Sequence, residues 1–205
     1  MTEKQDLRVK KTKRAIRMAL LKLVKEKDFQ KISVRDLCAY AEINRGTFYL
    51  HYQDKYDLLE SVEQELLDNL RIIMGERLAK KFDKLVGQPE ILMSFATELF
   101  HYVDEEAEVF KMLLLDSVSP SFQNKLKTVI RENFLRVQKE DFSPTSLPIP
   151  FDYIMAYVTS AHVGLLEQWL AEGRKHTPEK MAEVLVMTTM MGPVRAMGFK
   201  GGPLN

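Results

Sequence analysis

A single cysteine, Cys38, is the only thiol among 205 residues. An internal disulfide framework is therefore excluded, and the composition suits a reducing compartment. The four histidines show no metal-ligand spacing with one another. No glycine-rich phosphate loop follows a strand and no Gly-x-Ser-x-Gly elbow occurs, so the common signatures of nucleotide-dependent and hydrolytic enzymes are missing. No catalytic residue, metal or cofactor is expected. No apolar run approaches the ~20 residues that span a bilayer, and the amino terminus is charged and lacks the apolar segment of a secretory signal. The chain reads as soluble and cytoplasmic, with no membrane partner. Internal repeats, low-complexity tracts and strand alternation are also absent. Apolar residues recur at helical spacing instead, and the expected fold class is all-α.

Charge of one sign is barely in excess, with 30 basic against 29 acidic residues. The distribution is uneven. Residues 1–60 carry 14 Lys/Arg and 9 Asp/Glu, and nine of those basic residues fall in the first 25 positions. A positive amino-terminal module on a mildly acidic body is expected when only one end of a protein meets phosphate.

The most informative stretch is residues 32–59. Ser33 precedes Asp36 by three residues, a capping-box-like helix start. Val34, Leu37, Cys38 and Ala41 then recur at helical spacing and should pack inward, Cys38 as a core thiol. Asn44 can cap a second helix over residues 45–52, because its side-chain oxygen accepts from backbone N–H groups two or three residues on. Phe48 is the inward anchor of that helix, leaving Arg45, Thr47, Tyr49 and His51 pointing elsewhere. Two short helices joined by a tight turn have the shape that a major groove admits.

The run Arg45-Gly46-Thr47-Phe48-Tyr49-Leu50-His51-Tyr52, followed by Asp54-Lys55 and Leu58-Leu59, resembles the DNA-binding domain of the tetracycline-repressor (TetR/AcrR) family. The resemblance covers roughly residues 8 to 60. One position departs from it: Glu42 stands where the family commonly has glycine in the inter-helix turn. A non-glycine residue at positive φ is strained by about 1–2 kcal/mol, so a slightly remodelled turn is expected.

The resemblance implies a three-helix DNA-binding domain over residues 1–54 and a helical effector-binding and dimerisation domain over 55–205. It also implies a homodimeric repressor that binds a palindromic double-stranded operator and is released by a small ligand. Phosphate contacts are expected from Lys10, Lys13, Arg14, Tyr49 and Lys55, with Ser33 at a helix start; Lys11 and Arg17 lie nearby. Base reading is expected from Arg45, Thr47, His51 and Arg35, since arginine can hold guanine O6 and N7 together and the threonine methyl suits the methyl of thymine. Gly46 is expected to permit close approach to DNA.

Elsewhere, residues 1–7 read as a polar arm and 9–27 as a helix with Ala15, Ile16, Ala19, Leu20 and Leu23 buried. Lys55 begins a long helix reaching toward Phe82, and Gly87-Gln88-Pro89 punctuates the chain. Helical spacing resumes over 91–103, 106–116 and 121–138, with Asp104, Glu105, Glu106 and Glu108 as an exposed helix start. Three prolines within 141–150 exclude a helix there. A helix over 151–172 should stop at Gly173, and another should start at Thr177-Pro178 and end near Met191.

In the family the last two long helices form the dimer interface. Here their apolar residues are Ile154, Val158, Ala161, Leu165 and Trp169, then Val184, Leu185, Met187, Thr188 and Met191. The body holds eight methionines from Met93 onward. Methionine and aromatic side chains can line an apolar ligand site, and Phe95, Tyr102, Phe110, Met155, His162 and Trp169 are the pocket candidates. The competing reading makes them ordinary core residues, and makes His162 and His101 hydrogen-bonded structural histidines. The stretch from Gly164 to Gly173 and the following Thr-Pro-Glu-Lys-Met is similar to a sub-group that includes regulators of dihydroxyacetone utilisation. That likeness implies the alternative of an activator, or a DNA-bound recruiting module, controlled by a partner protein.

Overall fold

Helix formation starts at the third residue, where an arm was expected. The computed structural model describes residues 3–78, 89–116, 118–137 and 148–199. Helix α1 is Glu3–Glu26, so the Lys/Arg-rich stretch is itself helical. A 3₁₀ turn at Phe29–Lys31 leads to α2 (Val34–Tyr40), and α3 (Arg45–Tyr49) follows. The body comprises α4 (Lys55–Leu78), α5 (Pro89–Glu105), α6 (Ala107–Leu114), α7 (Phe122–Val137), α8 (Phe151–Ala171), α9 (Pro178–Met191) and a short α10 (Pro193–Ala196). No strand occurs among the described residues, and the fold is all-α. Residues 87–88, the reach of α4 toward Phe82, and positions 141–147 of the expected loop lie outside the described residues.

Local chemistry explains the boundaries. Thr177 caps α9 by accepting from the Lys180 N–H, with Pro178 at the first helical position. At the end of α8 the Gly173 N–H donates to Leu170 O and the Arg174 N–H to Trp169 O, with Gly173 at φ 74°. The same closure ends α2, where the Ile43 N–H donates to Cys38 O at 3.0 Å and the Glu42 N–H to Ala39 O at 3.4 Å. Glu42 itself sits at φ 54°. The turn is therefore not remodelled: glutamate adopts the left-handed conformation usually left to glycine.

Ile16, Ala19 and Leu20 of α1, Leu37 of α2, Phe48 of α3 and Leu58 of α4 are all fully enclosed, forming the small core of the amino-terminal module. Burial continues along α4 through Val62, Leu66, Leu67 and Leu70 without a break, so one apolar cluster runs from Ile16 to Val186. Helix α4 belongs to both halves. In the body α5 packs most extensively on α9, α4 packs on α7 and α5, and α6 touches α1. Helix α8 is held mainly by α7 and α6 and only lightly by α9.

Candidate nucleic-acid interface and effector cavity

The reading head is assembled by caps. Ser33 Oγ accepts from the Asp36 N–H at 3.2 Å, while Asp36 Oδ2 accepts from the Ser33 N–H at 2.9 Å and the Ser33 hydroxyl at 2.8 Å. Lys27 Nζ lies 2.8 Å from the same oxygen. The Lys27 ammonium, then the Ser33 donors, hold the Asp36 carboxyl far below the usual carboxylate range. The Ser33 hydroxyl proton is thus committed to Asp36. This side chain caps α2, and in this arrangement it has lone pairs but no free proton to offer a phosphate.

In α3, Asn44 Oδ1 accepts from the Thr47 N–H at 2.7 Å and from the Thr47 hydroxyl at 3.0 Å. Thr47 therefore spends its only hydroxyl proton within the cap, leaving its methyl and oxygen lone pairs for a partner. A Cβ on Gly46 would stand 3.3 Å from Asn44 Oδ1, so this glycine also makes room for the cap. Arg45 extends along the exposed side of α3, its Nη2 donating to Tyr49 Oη at 3.2 Å and its guanidinium 5.8 Å from the Tyr49 ring centroid. Arg35, Arg45 and Tyr49 are exposed and Thr47 and His51 half-buried, while Phe48 and Tyr52 hold the helix from beneath. Burial pushes the Cys38 thiol up, as a packed core thiol requires.

Leu50 was passed over by the sequence reading, yet it is 81% exposed directly after α3, and Tyr40 at the end of α2 is exposed too. Their signal was available: with Phe48 and Tyr52 turned inward, a residue midway between them must face out.

Lys10, Lys13 and Arg14 project from α1 into solvent. Two other cations are engaged within the protein. Lys55 Nζ donates to three carbonyls, Phe29 O at 2.9 Å, Gln30 O at 2.8 Å and Ile32 O at 2.9 Å. All three ammonium protons are used, so Lys55 is a structural tie between α4 and the α1–α2 connection, with no proton left for a phosphate in this arrangement. The ammonium also lies 4.9 Å from the Phe29 ring centroid and 5.2 Å from that of Tyr56. Arg17 turns inward and pairs with Glu106 and, at 3.7 Å, with Glu65. The acidic residues around 104–108 are therefore not an idle solvated helix start: Asp104 holds Arg174 at 2.7 Å, Glu106 holds Arg17, and Glu108 holds Lys25.

The body encloses an apolar cavity of about 280 Å³ among α4 to α9. Phe95, Phe110 and His162 of the expected pocket residues line it, joined by Leu99, Phe100, Leu126, Phe134 and Leu166 among others. Tyr102, Met155 and Trp169 do not. Tyr102 lies behind Phe110, edge-on at 6.2 Å, with its hydroxyl accepting from Asn69 Nδ2 at 3.3 Å. Burial pushes the Tyr102 phenol up to about 12. Trp169 packs edge-on against Phe100 at 5.3 Å, and its Nε1 donates to His176 O at 2.9 Å. Met155 is buried in α8 away from the cavity. Tyr102 and Trp169 spend their apolar bodies on packing and their polar tips on internal partners.

His162 and Thr189 are the polar pair of the cavity, at its α8–α9 side, with Nε2 and Oγ1 3.1 Å apart. Burial pushes the His162 imidazole down to about 4, so the ring is neutral near pH 7. His101 instead lies on the exposed side of α5, 2.9 Å from Glu179.

Comparison with known proteins agrees with this architecture. Residues 16–62 match the family described as bacterial regulatory proteins, tetR family, and residues 90–190 match a transcriptional regulator C-terminal region. The chain is 30% identical over 190 residues to the HTH-type transcriptional regulator YxbF of Bacillus subtilis (strain 168), a match covering 88% of this chain. The matched region spans 45% of the length of that relative. Among solved structures, a TetR transcriptional regulator from Streptococcus agalactiae 2603V is similar at 24% identity and TM-score 0.61, covering 91% of this chain and 97% of that one. The dihydroxyacetone kinase operon activator DhaS is similar at 18% identity and TM-score 0.58, covering 90% and 97%. Both structural likenesses concern the fold.

Proposed function

We propose that this chain, which belongs to the TetR family of bacterial regulatory proteins, is a homodimeric repressor released from a palindromic operator by a small ligand. The family is one of DNA-binding transcriptional regulators and not of enzymes, so DNA is the macromolecular partner. The observation that carries the reading is the pairing of a capped, outward-facing α3 with an apolar cavity in the same continuous core. Domains over residues 1–54 and 55–205 belong to this proposal, α4 acting as the shared rod.

Base discrimination falls to Arg45, Thr47, His51 and Arg35, and backbone contacts to Lys10, Lys13, Arg14 and Tyr49. One five-residue helix touches too few bases to be selective, so a second copy is needed. Tyr153 (73% exposed) and Tyr157 on α8, and Met187 and Met191 on α9, leave an apolar face open beside the small Ala161 and Gly164. Packed on a symmetry mate, α8 and α9 would build a four-helix bundle. Heads about 34–36 Å apart then meet successive major grooves, and a ligand acts by favouring a form with the wrong spacing.

The test combines sedimentation with footprinting of a selected operator. A dimer protecting two half-sites is expected, with Arg45→Ala reducing specific binding more than random-duplex binding. A strictly monomeric protein without preference for any duplex defeats the proposal.

The second reading is an activator, or a DNA-bound recruiting module, controlled by a partner protein rather than a small ligand; a solved structure of the same fold is described as an operon activator. A cavity that admits no ligand would favour it.

A further inference from the structure

The cavity is unusually one-sided in its chemistry. Its floor is aromatic and aliphatic, from Phe95, Phe110 and Leu126, and among the described residues no charged side chain lines it. Among the described residues that line it, the polar side chains are those of His162 and Thr189, with Nε2 and Oγ1 3.1 Å apart. That pair stands at the rim, because Thr189 and its neighbour Met190 are exposed whereas Phe110 and Leu126 are buried.

We infer that the cavity takes an uncharged, largely apolar molecule of about a dozen non-hydrogen atoms whose single hydrogen-bonding head meets the His162–Thr189 pair. This rests on the ligand-released reading above and narrows it to a chemical class. The size follows by comparison: a ~150 Å³ apolar cavity accommodates benzene, and this one holds about 280 Å³. The exclusion of charge follows from the lining. A carboxylate or ammonium held at this pair would give up part of its hydration without gaining an opposite charge, and the neutral His162 ring offers none. A hydroxyl or carbonyl head finds a donor and an acceptor in the imidazole–hydroxyl pair. The long apolar part supplies affinity, and the head fixes which end lies deep.

The protein can be tested with the neutral fluorophore 1-naphthylamine, which is of the inferred size, displaced in turn by 1-decanol, decanoate and decyltrimethylammonium at pH 7.5. These share one ten-carbon tail and differ in head charge. Decanol is expected to displace the probe at least tenfold more effectively than either ion. Thr189→Val should weaken decanol about fivefold, the worth of one neutral hydrogen bond, and Thr189→Ser should restore it. Ala96→Phe, which fills the enclosed wall of the cavity, should abolish probe uptake. The inference is overturned if either ion equals decanol, if the probe is not taken up by the wild-type protein, or if Thr189→Val binds decanol as the wild type does. Operator affinity is read separately. Decanol that fills the cavity without loosening DNA supports the ligand class while defeating ligand-driven release.

Discussion

Arg17 of α1 donates to Glu106, the residue immediately before α6, so an ion pair between positions 89 residues apart joins the reading head to the body. Lys25 and Glu108 repeat the connection about two turns further along α1, and both acidic partners flank the start of the helix that carries Phe110. Phe110 lines the cavity and packs against Tyr102. A ligand that displaces Phe110 therefore acts on the helix whose first turn grips α1. Burial pushes the Glu106 carboxyl up and Arg17 opposes the shift, whereas Lys25 holds the Glu108 carboxyl down.

Arg17→Met should separate coupling from binding. Both partners of this pair are half-buried, so its loss should cost about 1–2 kcal/mol, more than an exposed pair. Operator affinity without ligand should change little, while release by a bound ligand should need a higher concentration. Urea unfolding and ligand-dependent DNA release measure the two effects. Unchanged release in the variant would remove Arg17 from the transmission route.

Lys55→Ala and Lys13→Ala should differ in kind. The first leaves three carbonyls without their shared donor and should cost about 2–3 kcal/mol of stability with no change in the salt dependence of DNA binding. The second should leave stability within about 0.5 kcal/mol and reduce the log–log salt slope by about 0.9. Denaturation and salt titration of both variants decide the matter. A reduced slope for Lys55→Ala would place it in the phosphate-binding set.

Glu42→Gly should stabilise the protein. The native φ of 54° strains a residue bearing Cβ, and the freedom that glycine gains in the unfolded chain offsets part of the relief. A net gain of about 0.5–1 kcal/mol in thermal or urea unfolding is expected, with operator affinity unchanged. Destabilisation would mean that the Glu42 side chain does more than occupy the turn.

Acid should weaken the body through His162. Its imidazole falls from the ordinary 6.5 to about 4 in the folded chain through burial. Below pH 6.5 the unfolded chain takes up a proton that the folded chain refuses until about pH 4. Stability is thus complete above that window and lost progressively as pH falls through it. His162→Gln should lose less stability than the wild type between pH 7.5 and pH 5, by about 1 kcal/mol given the half-buried ring. Equal losses would show that another group dominates.

Much of the reading head was legible because its determinants are local. Ser33 with Asp36, Asn44 with Thr47, and Thr177 with Lys180 are contacts within three residues, and such pairs favour a helix start wherever they occur. The all-α class follows from spacing alone in the same way. The start of α1 was misplaced because charged residues 3–8 carry no apolar stripe, yet their helical propensity extends the helix.

What spacing could not settle is where a long side chain ends. Lys13 and Arg17 lie four residues apart on α1, and both are cations on the same basic stretch. Only the packed chain puts Glu106 beside Arg17 while leaving Lys13 in water. Lys55 likewise meets carbonyls contributed from 23 to 26 residues away. The aromatic residues divide by the same cause: Phe95, Phe100 and Phe110 border the cavity, whereas Trp169 packs against Phe100 and Tyr102 against Phe110 without reaching it. Composition announces apolar side chains, but whether they meet one another or leave a void depends on how six helices close together.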